Sequence, residues 1–242
     1  MSKYWDDSIS YSQPAASVIR KNAGETKRKE KAKGKILSPV MVSDRNIVNN
    51  WWGSAWCDNL ESYADYESRL DRGKRYVRSG AVLDLQIKKG KITARVQGSR
   101  KTPYKIEIRI SPLQEERCQE VINKCTRRIE NLETLIQGNF PEELKDIFLG
   151  KDGLFPTPRE ISFNCSCPDW ALMCKHVSAA LYGVGVRLDE NPLLFFELRG
   201  LDVNRFIDIT IANKVESMLA NVNRPSSRII EGKEAMNIFG VI

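Results

Sequence analysis

Three runs of strictly alternating apolar and polar residues lie near the middle of the chain. Leu83, Leu85 and Ile87 alternate with Asp84, Gln86 and Lys88. Ile92, Ala94 and Val96 alternate with Lys91, Thr93, Arg95 and Gln97. Tyr104, Ile106, Ile108 and Ile110 alternate with Lys105, Glu107 and Arg109. A period of two is the mark of a half-buried strand. Lys89-Gly90 supplies a two-residue turn, with the glycine taking a positive φ, and 98–103 supplies a loop. The pattern predicts a small antiparallel meander with one apolar and one polar face.

Helical spacing surrounds the meander. Trp56, Leu60, Tyr63 and Leu70 predict a helix over about 54–70, and the indoles of Trp51, Trp52 and Trp56 are expected to anchor it on the sheet. Cys118, Ile122, Cys125, Ile129, Leu132 and Ile136 predict a longer helix over 111–137, with Ser111-Pro112 as its start. Cys118 and Cys125 fall on its apolar seam, and Cys57 beside the tryptophans, so all three are read as packed thiols. Pro141–Leu149 gives a short helix, and the Gly- and Pro-rich 150–158 a linker. Val177, Ala180, Leu181, Val184 and Leu188 mark another helix. Pro192–Arg199 is a short apolar helix closed by Gly200. Asp202–Ile211 and Ala212–Val222 suggest further helix, 221–228 a loop, and Met236–Ile242 an apolar end able to dock on the body or a partner.

Charge changes the picture at two places. The chain carries a net +7, but Arg20–Lys35 holds eight Lys/Arg against two Glu, and Arg69–Arg109 thirteen against three acids. The remainder is net acidic. Clustered cations are the footprint of a polyanion partner, because they release condensed counterions on meeting phosphates. The candidate contacts are Lys27, Arg28 and Lys29 in a basic tail, and Lys88, Lys91, Arg95, Lys105 and Arg109 on the polar sheet face. Arg72, Lys74, Arg75, Arg78, Arg100 and Lys101 are placed at its entry and loops. Charged sheet faces also serve simply to prevent aggregation. With so few apolar side chains, residues 1–45 are expected to be a tail, its basic stretch either a disordered arm or helical on DNA, with Tyr4, Trp5 and Tyr11 as aromatics that dock on the body or a partner. The body then divides into a helix-plus-meander domain over 46–150, a small unit over 151–200 and a helical segment over 201–242. No apolar run reaches the length of a membrane span, and the first residues are unlike a secretory signal. A soluble intracellular protein, cytoplasmic or nucleoid-associated, is the expectation.

The chemistry concentrates in Cys165-Ser-Cys167-Pro-Asp-Trp-Ala-Leu-Met-Cys174-Lys-His176, which contains three of the six cysteines and the only histidine. Three thiolates and one imidazole form a complete tetrahedral set for Zn²⁺ and leave no position for a catalytic water, so the site is structural. Glu160–Phe163 alternates, so a strand or hairpin delivers Cys165 and Cys167. Cys174 and His176 converge only if Cys174 immediately precedes a helix and His176 lies in its first turn. The helix's positive end then favours thiolate charge. Asp169 or a backbone carbonyl is expected to hold the free imidazole N–H. Disulfides do not suit a reduced compartment. A Cys174–His176 nucleophile–base pair lacks an orienting third group.

The pattern Cys-x-Cys-x₆-Cys-x-His followed by an apolar helix resembles the SWIM zinc finger. Phe163–Trp170 and Cys174–Tyr182 are similar to its prokaryotic stand-alone members, as are Trp51–Trp56 upstream and Phe195–Gly200 downstream. The resemblance implies Cys165, Cys167, Cys174 and His176 as zinc ligands in a ββα finger that binds DNA or protein. It also implies association with Swi/Snf-type helicase-like ATPases. The fold expected is α+β: a meander packed on helices, a zinc-clamped finger and a helical C-terminus. No G-x-x-x-x-G-K-[ST] loop is present, so this chain is not the ATPase, and no enzymatic activity is expected. The function expected is binding of DNA or RNA as an accessory subunit. The alternative is a protein–protein adaptor that docks on the ATPase without touching DNA.

Overall fold

The computed structural model describes residues 14–62, 64, 67–128, 144–150 and 153–221. The chain divides into two units at Val203/Asn204. In the first, α1 (Ala16–Ala32), α2 (Trp51–Glu61) and α3 (Glu67–Arg78) precede β1 (Val82–Lys88), β2 (Lys91–Val96) and β3 (Tyr104–Ile110). Then follow α4 (Glu115–Arg128), α5 (Lys145–Leu149), β4 (Ile161–Cys165), α6 (Lys175–Glu190) and α7 (Leu193–Arg199). Helix α8 (Val203–Asn221) crosses the boundary into the second unit, and exposes Ile211, Val215, Met218 and Leu219. No helix among the described residues is long and apolar enough to cross a membrane.

The sheet has the order β1-β2-β3-β4 and is antiparallel throughout. Lys88 pairs with Lys91 around the expected turn, where Gly90 has φ 66°. Leu83, Leu85, Ile92, Ala94, Val96, Ile106, Ile108 and Ile110 are all buried, as the alternation predicts. Each of the Leu, Ile and Val side chains contributes roughly 1.5–3 kcal/mol by leaving water. The meander does not end at three strands. Ile106 to Ile110 pair with Cys165 to Ile161, so the strand leading into the Cys/His cluster extends the same sheet. The free edge of β1 is covered by 38–40, where Ser38 and Val40 exchange backbone hydrogen bonds with Leu85 and Val82.

Helix α6 lies between the sheet and the α2/α3 pair. Twelve of its sixteen residues are buried, including all five of the predicted stripe. The indoles anchor α2 on this helix and not on the sheet: Trp56 Nε1 donates to the Leu181 carbonyl and Trp52 Nε1 to that of Leu188, each at 3.0 Å. Trp56 also meets Phe155 and Phe195 in an aromatic cluster with Phe148. Arg199 at the end of α7 is buried and binds the Ser111 carbonyl at 2.8 Å and Glu160 at 2.7 Å, so it ties the end of β3 to the start of β4. Gly200 closes α7 with φ 88°.

Three expectations need correction. The basic stretch forms α1, with Ile19, Ala23, Thr26 and Glu30 buried along one side. Its scarcity of apolar side chains is offset by polar anchors: Thr26 donates to Gln97 at 2.9 Å and Glu30 pairs with Arg95 at 3.0 Å. The single helix over 54–70 is two, α2 and α3, and Arg72, Lys74, Arg75 and Arg78 belong to α3, not to a sheet entry. Leu70, Gly73, Tyr76 and Val77 are its buried stripe, which the charged neighbours mask in the sequence. The helix expected over 111–137, α4, starts at Glu115, because the Ser111 and Leu113 amides are spent on the Glu160 and Arg199 carbonyls. Tyr4, Trp5, Tyr11, Tyr63, Ile129, Leu132, Ile136, the 222–228 loop and Met236–Ile242 lie outside the described residues.

Gly73 sets the approach of α3 to α6. A Cβ there would stand 2.6 Å from Ser178 Cβ and 3.0 Å from the Ala179 nitrogen. Gly73→Ala is therefore expected to destabilise the protein by about 1–3 kcal/mol. Gly24 on α1 has open space around it, so Gly24→Ala is expected to stabilise by about 0.4–1 kcal/mol. Chemical denaturation of the two variants checks the opposite signs.

Candidate metal centre

The end of β4 and the start of α6 bring the four predicted ligands together. Cys165 is the last residue of β4 and lies opposite Ile106. The chain then turns out of the sheet, held by Ser166, whose amide donates to the Lys105 carbonyl and whose hydroxyl accepts from the Lys105 amide. Cys167 follows in this turn, so the strand delivers one thiol and the turn the other. Cys174 caps α6 in extended conformation, and its carbonyl accepts from the Ser178 amide at 2.9 Å. His176 lies in the first turn, as the spacing required.

The ligand atoms of Cys165, Cys167, Cys174 and His176 all lie within 4.8 Å of one another. His176 Nδ1 is 4.0 Å from the sulfurs of both Cys165 and Cys174. Zinc with Zn–S near 2.3 Å and Zn–N near 2.0–2.1 Å needs tetrahedral edges of about 3.6–3.8 Å. The cluster is thus already gathered to nearly that size, and its donor set is compatible with zinc coordination. The thiols also compete for protons. Cys165 and Cys174 hydrogen-bond to Cys167 and pull its pKa down, while Cys165 is pushed up by its bond to Cys167. Three thiols sharing protons in this way form a site that a cation can discharge. Burial lowers the His176 pKa, which keeps its ring neutral and its Nδ1 lone pair available.

The expected partner for the second ring nitrogen is not observed. His176 Nε2 is buried with no hydrogen-bond partner among the described residues. Asp169 turns instead to Arg69 at 3.2 Å and to Lys175 at 3.9 Å. The imidazole is oriented by packing: the Tyr104 ring lies against it at 4.2 Å between centroids and Tyr76 meets it edge-on at 5.5 Å. Gly98 leaves room for this stack, since a Cβ there would come within 2.8 Å of the Tyr104 ring. Cys57, Cys118 and Cys125 are buried apart from the cluster, as packed thiols should be.

The predicted cations are distributed over several surfaces. Arg95 is taken by Glu30, and Lys91 and Arg109 both by Glu107. Lys74 pairs with Glu61 and lies over the Tyr182 ring. Lys27 reaches the Met41 sulfur, and Arg78 the Arg45 carbonyl. Arg28, Lys29, Lys88, Arg100, Lys101 and Lys105 are exposed. Only Arg72 and Arg75 join the metal centre, lining a cleft of about 510 Å³ beside it. The same cleft is lined by Arg69, Lys175 and Trp170, none of which the sequence reading singled out. The signal was present as Arg69-x-x-Arg72-x-x-Arg75, a single side of a helix once α3 is recognised.

No family model matches the chain, and no solved structure does. Over 156 residues it is 38% identical to a Mycobacterium tuberculosis protein, "Uncharacterized protein Rv2102". The similarity covers 64% of this chain and 56% of the relative, so the chain spans little more than half the length of the curated relative it matches.

Cys174→Ala and His176→Ala are expected to abolish stoichiometric zinc and to cost several kcal/mol of stability, because the binding energy of a structural zinc is folding energy. Cys125→Ala, buried outside the cluster, is expected to retain zinc and to cost about 1 kcal/mol. Elemental analysis and thermal unfolding of the purified variants distinguish the two classes. Metal affinity is expected to fall with acidification, as each thiolate ligand is protonated.

Proposed function

We propose that the protein is a zinc-stabilised nucleic-acid-binding module of the SWIM type, with no catalysis of its own, serving as an accessory subunit of a Swi/Snf-type helicase-like ATPase that acts on DNA. The observation that carries this reading is the convergence of Cys165, Cys167, Cys174 and His176 in a closed four-ligand cluster at the root of α6. Four protein ligands leave no open coordination position, which is the mark of a structural centre. Beside it lie Arg72 and Arg75, which no carboxylate pairs with among the described residues. Cations without acidic partners meet phosphates without first breaking an ion pair. The ATPase partner is supported by the resemblance of the motif and its flanking segments.

A second reading, docking on a protein partner, is favoured by the apolar side chains that the ligand loop presents outward. Trp170 is 79% and Leu172 77% exposed. The two readings separate in solution. Nucleic-acid binding predicts a linear fall of log affinity with log salt, with a slope of about −0.9 per duplex phosphate neutralised or −0.7 on a single strand. Fluorescence anisotropy with labelled DNA between about 50 and 200 mM salt measures it. A salt-insensitive affinity, or none, together with salt-resistant co-purification of the ATPase, supports the adaptor.

A further inference from the structure

We infer that the cleft beside the metal centre seats one nucleotide of a single-stranded nucleic acid, with its phosphate at Arg72 and Arg75 and its base against Trp170. The inference rests on the nucleic-acid reading above and assigns the contact to a place and the ligand to a class.

Helical spacing puts Arg69, Arg72 and Arg75 in one row along α3, and all three line the cleft. Each has a buried Nε with no hydrogen-bond partner among the described residues. Arg69 binds Asp169 at 3.2 Å through its outer nitrogen, and Arg75 binds the Pro14 carbonyl at 3.4 Å. Arg72 has neither a hydrogen bond nor an ion pair among the described residues. A buried donor without an acceptor costs free energy, and a phosphate supplies several acceptors in the geometry a guanidinium fork accepts. The charge balance agrees. Arg69, Arg72, Arg75 and Lys175 face one carboxylate, Asp169. A divalent ion bound by three thiolates carries a formal −1, and the cleft remains positive with it counted.

The shape selects the strand. The cleft volume of about 510 Å³ suits a ligand of nucleotide size and falls within the usual range of small-ligand sites. The arginine Nε atoms are recessed, whereas the phosphates of a duplex lie on a stiff, wide cylinder that cannot fold one of them into a pocket. Trp170 stands at the cleft with most of its surface in solvent. Such a ring is a platform for an unpaired base, and a base within a duplex is already stacked. Tyr104, held against His176 at 4.2 Å, also lines the cleft. The cleft on the outer sheet face differs: Arg95 and Lys105 share it with Asp84 and Glu107, a mixed lining without an aromatic ring.

The test uses the full chain loaded with zinc and a fluorescein-labelled oligothymidylate of about 15 nucleotides. The single strand is expected to bind more tightly than a duplex of equal length. Trp170→Ala should weaken it roughly 5- to 150-fold, with Trp170→Phe retaining most of the affinity. Arg72→Gln combined with Arg75→Gln should reduce the salt slope by about 0.7, the value for one phosphate on a single strand. Lys124→Gln, exposed on α4 and outside the cleft, should change little. Zinc content and melting temperature confirm that each variant is folded. If the wild type binds the oligonucleotide but folded cleft variants bind it equally well, the cleft assignment falls and the nucleic-acid reading stands. Equal binding of the duplex, or equal competition by oligoglutamate, likewise overturns the assignment. If the wild type binds no nucleic acid at low salt, the wider reading fails as well.

Discussion

The burial of α6 on almost every side is the constraint on which the rest depends. A helix apolar all round finds no stable place at a surface and must be enclosed. The sheet covers one flank, and α2 and α3 cover the other. Enclosure at this density requires small residues at the crossings. Gly73 meets Ser178, a Cβ on Gly183 would stand 3.2 Å from Val40, and one on Gly185 would stand 3.0 Å from the Cys57 sulfur. The tryptophans of α2 then find hydrogen-bond acceptors on α6 itself, at the Leu181 and Leu188 carbonyls. Interiors packed like this transmit displacement, so the position of the N-terminus of α6 is fixed by its whole length.

That fixed N-terminus explains how the Cys/His cluster is assembled. Cys174 and His176 are carried by a helix that cannot shift, and Cys165 by a strand locked into register with β3. Only Cys167 comes from a turn. Two of the four donors therefore sit on one buried element and a third on another, with the turn completing the set. A metal in this centre joins the end of β4 to the N-terminus of α6. The ligands do not make a separate finger: β4 is the fourth strand of the common sheet, and α6 is the central helix.

The parts legible in the sequence are those where one face decides. Alternation in β1 to β3 locates the strands, because a half-buried strand records its burial every second residue. The Cys/His spacing is legible because ligand convergence tolerates few backbone paths. The illegible parts are those where polar contacts replace apolar area. In α1, Thr26 and Glu30 occupy positions that a hydropathy pattern counts as solvent, yet both are buried against Gln97 and Arg95. In α3, Gly73 marks a tight helix crossing but reads in sequence as a weak helix former amid charges. Partnership across the fold is also invisible locally: nothing near Asp169 in the chain indicates Arg69, one hundred residues earlier.

Charge shows the same dependence on the fold. Arg95, Lys91 and Arg109 look like an open basic face in the sequence, but Glu30 and Glu107 consume them. Arg72 and Arg75 carry the same charge, and no carboxylate pairs with them among the described residues. The difference comes from the ligand loop. Its one acid, Asp169, lies two residues beyond Cys167 and binds Arg69 and Lys175, with its carboxylate oxygen also accepting from the Ala171 amide. The conformation that presents Cys167 to the cluster thus also sets Asp169 against α3. One end of the arginine row is thereby neutralised and anchored, and the other end keeps its charge. The metal centre and the cationic cleft are in this sense one construction, since the loop that closes the first forms a wall of the second.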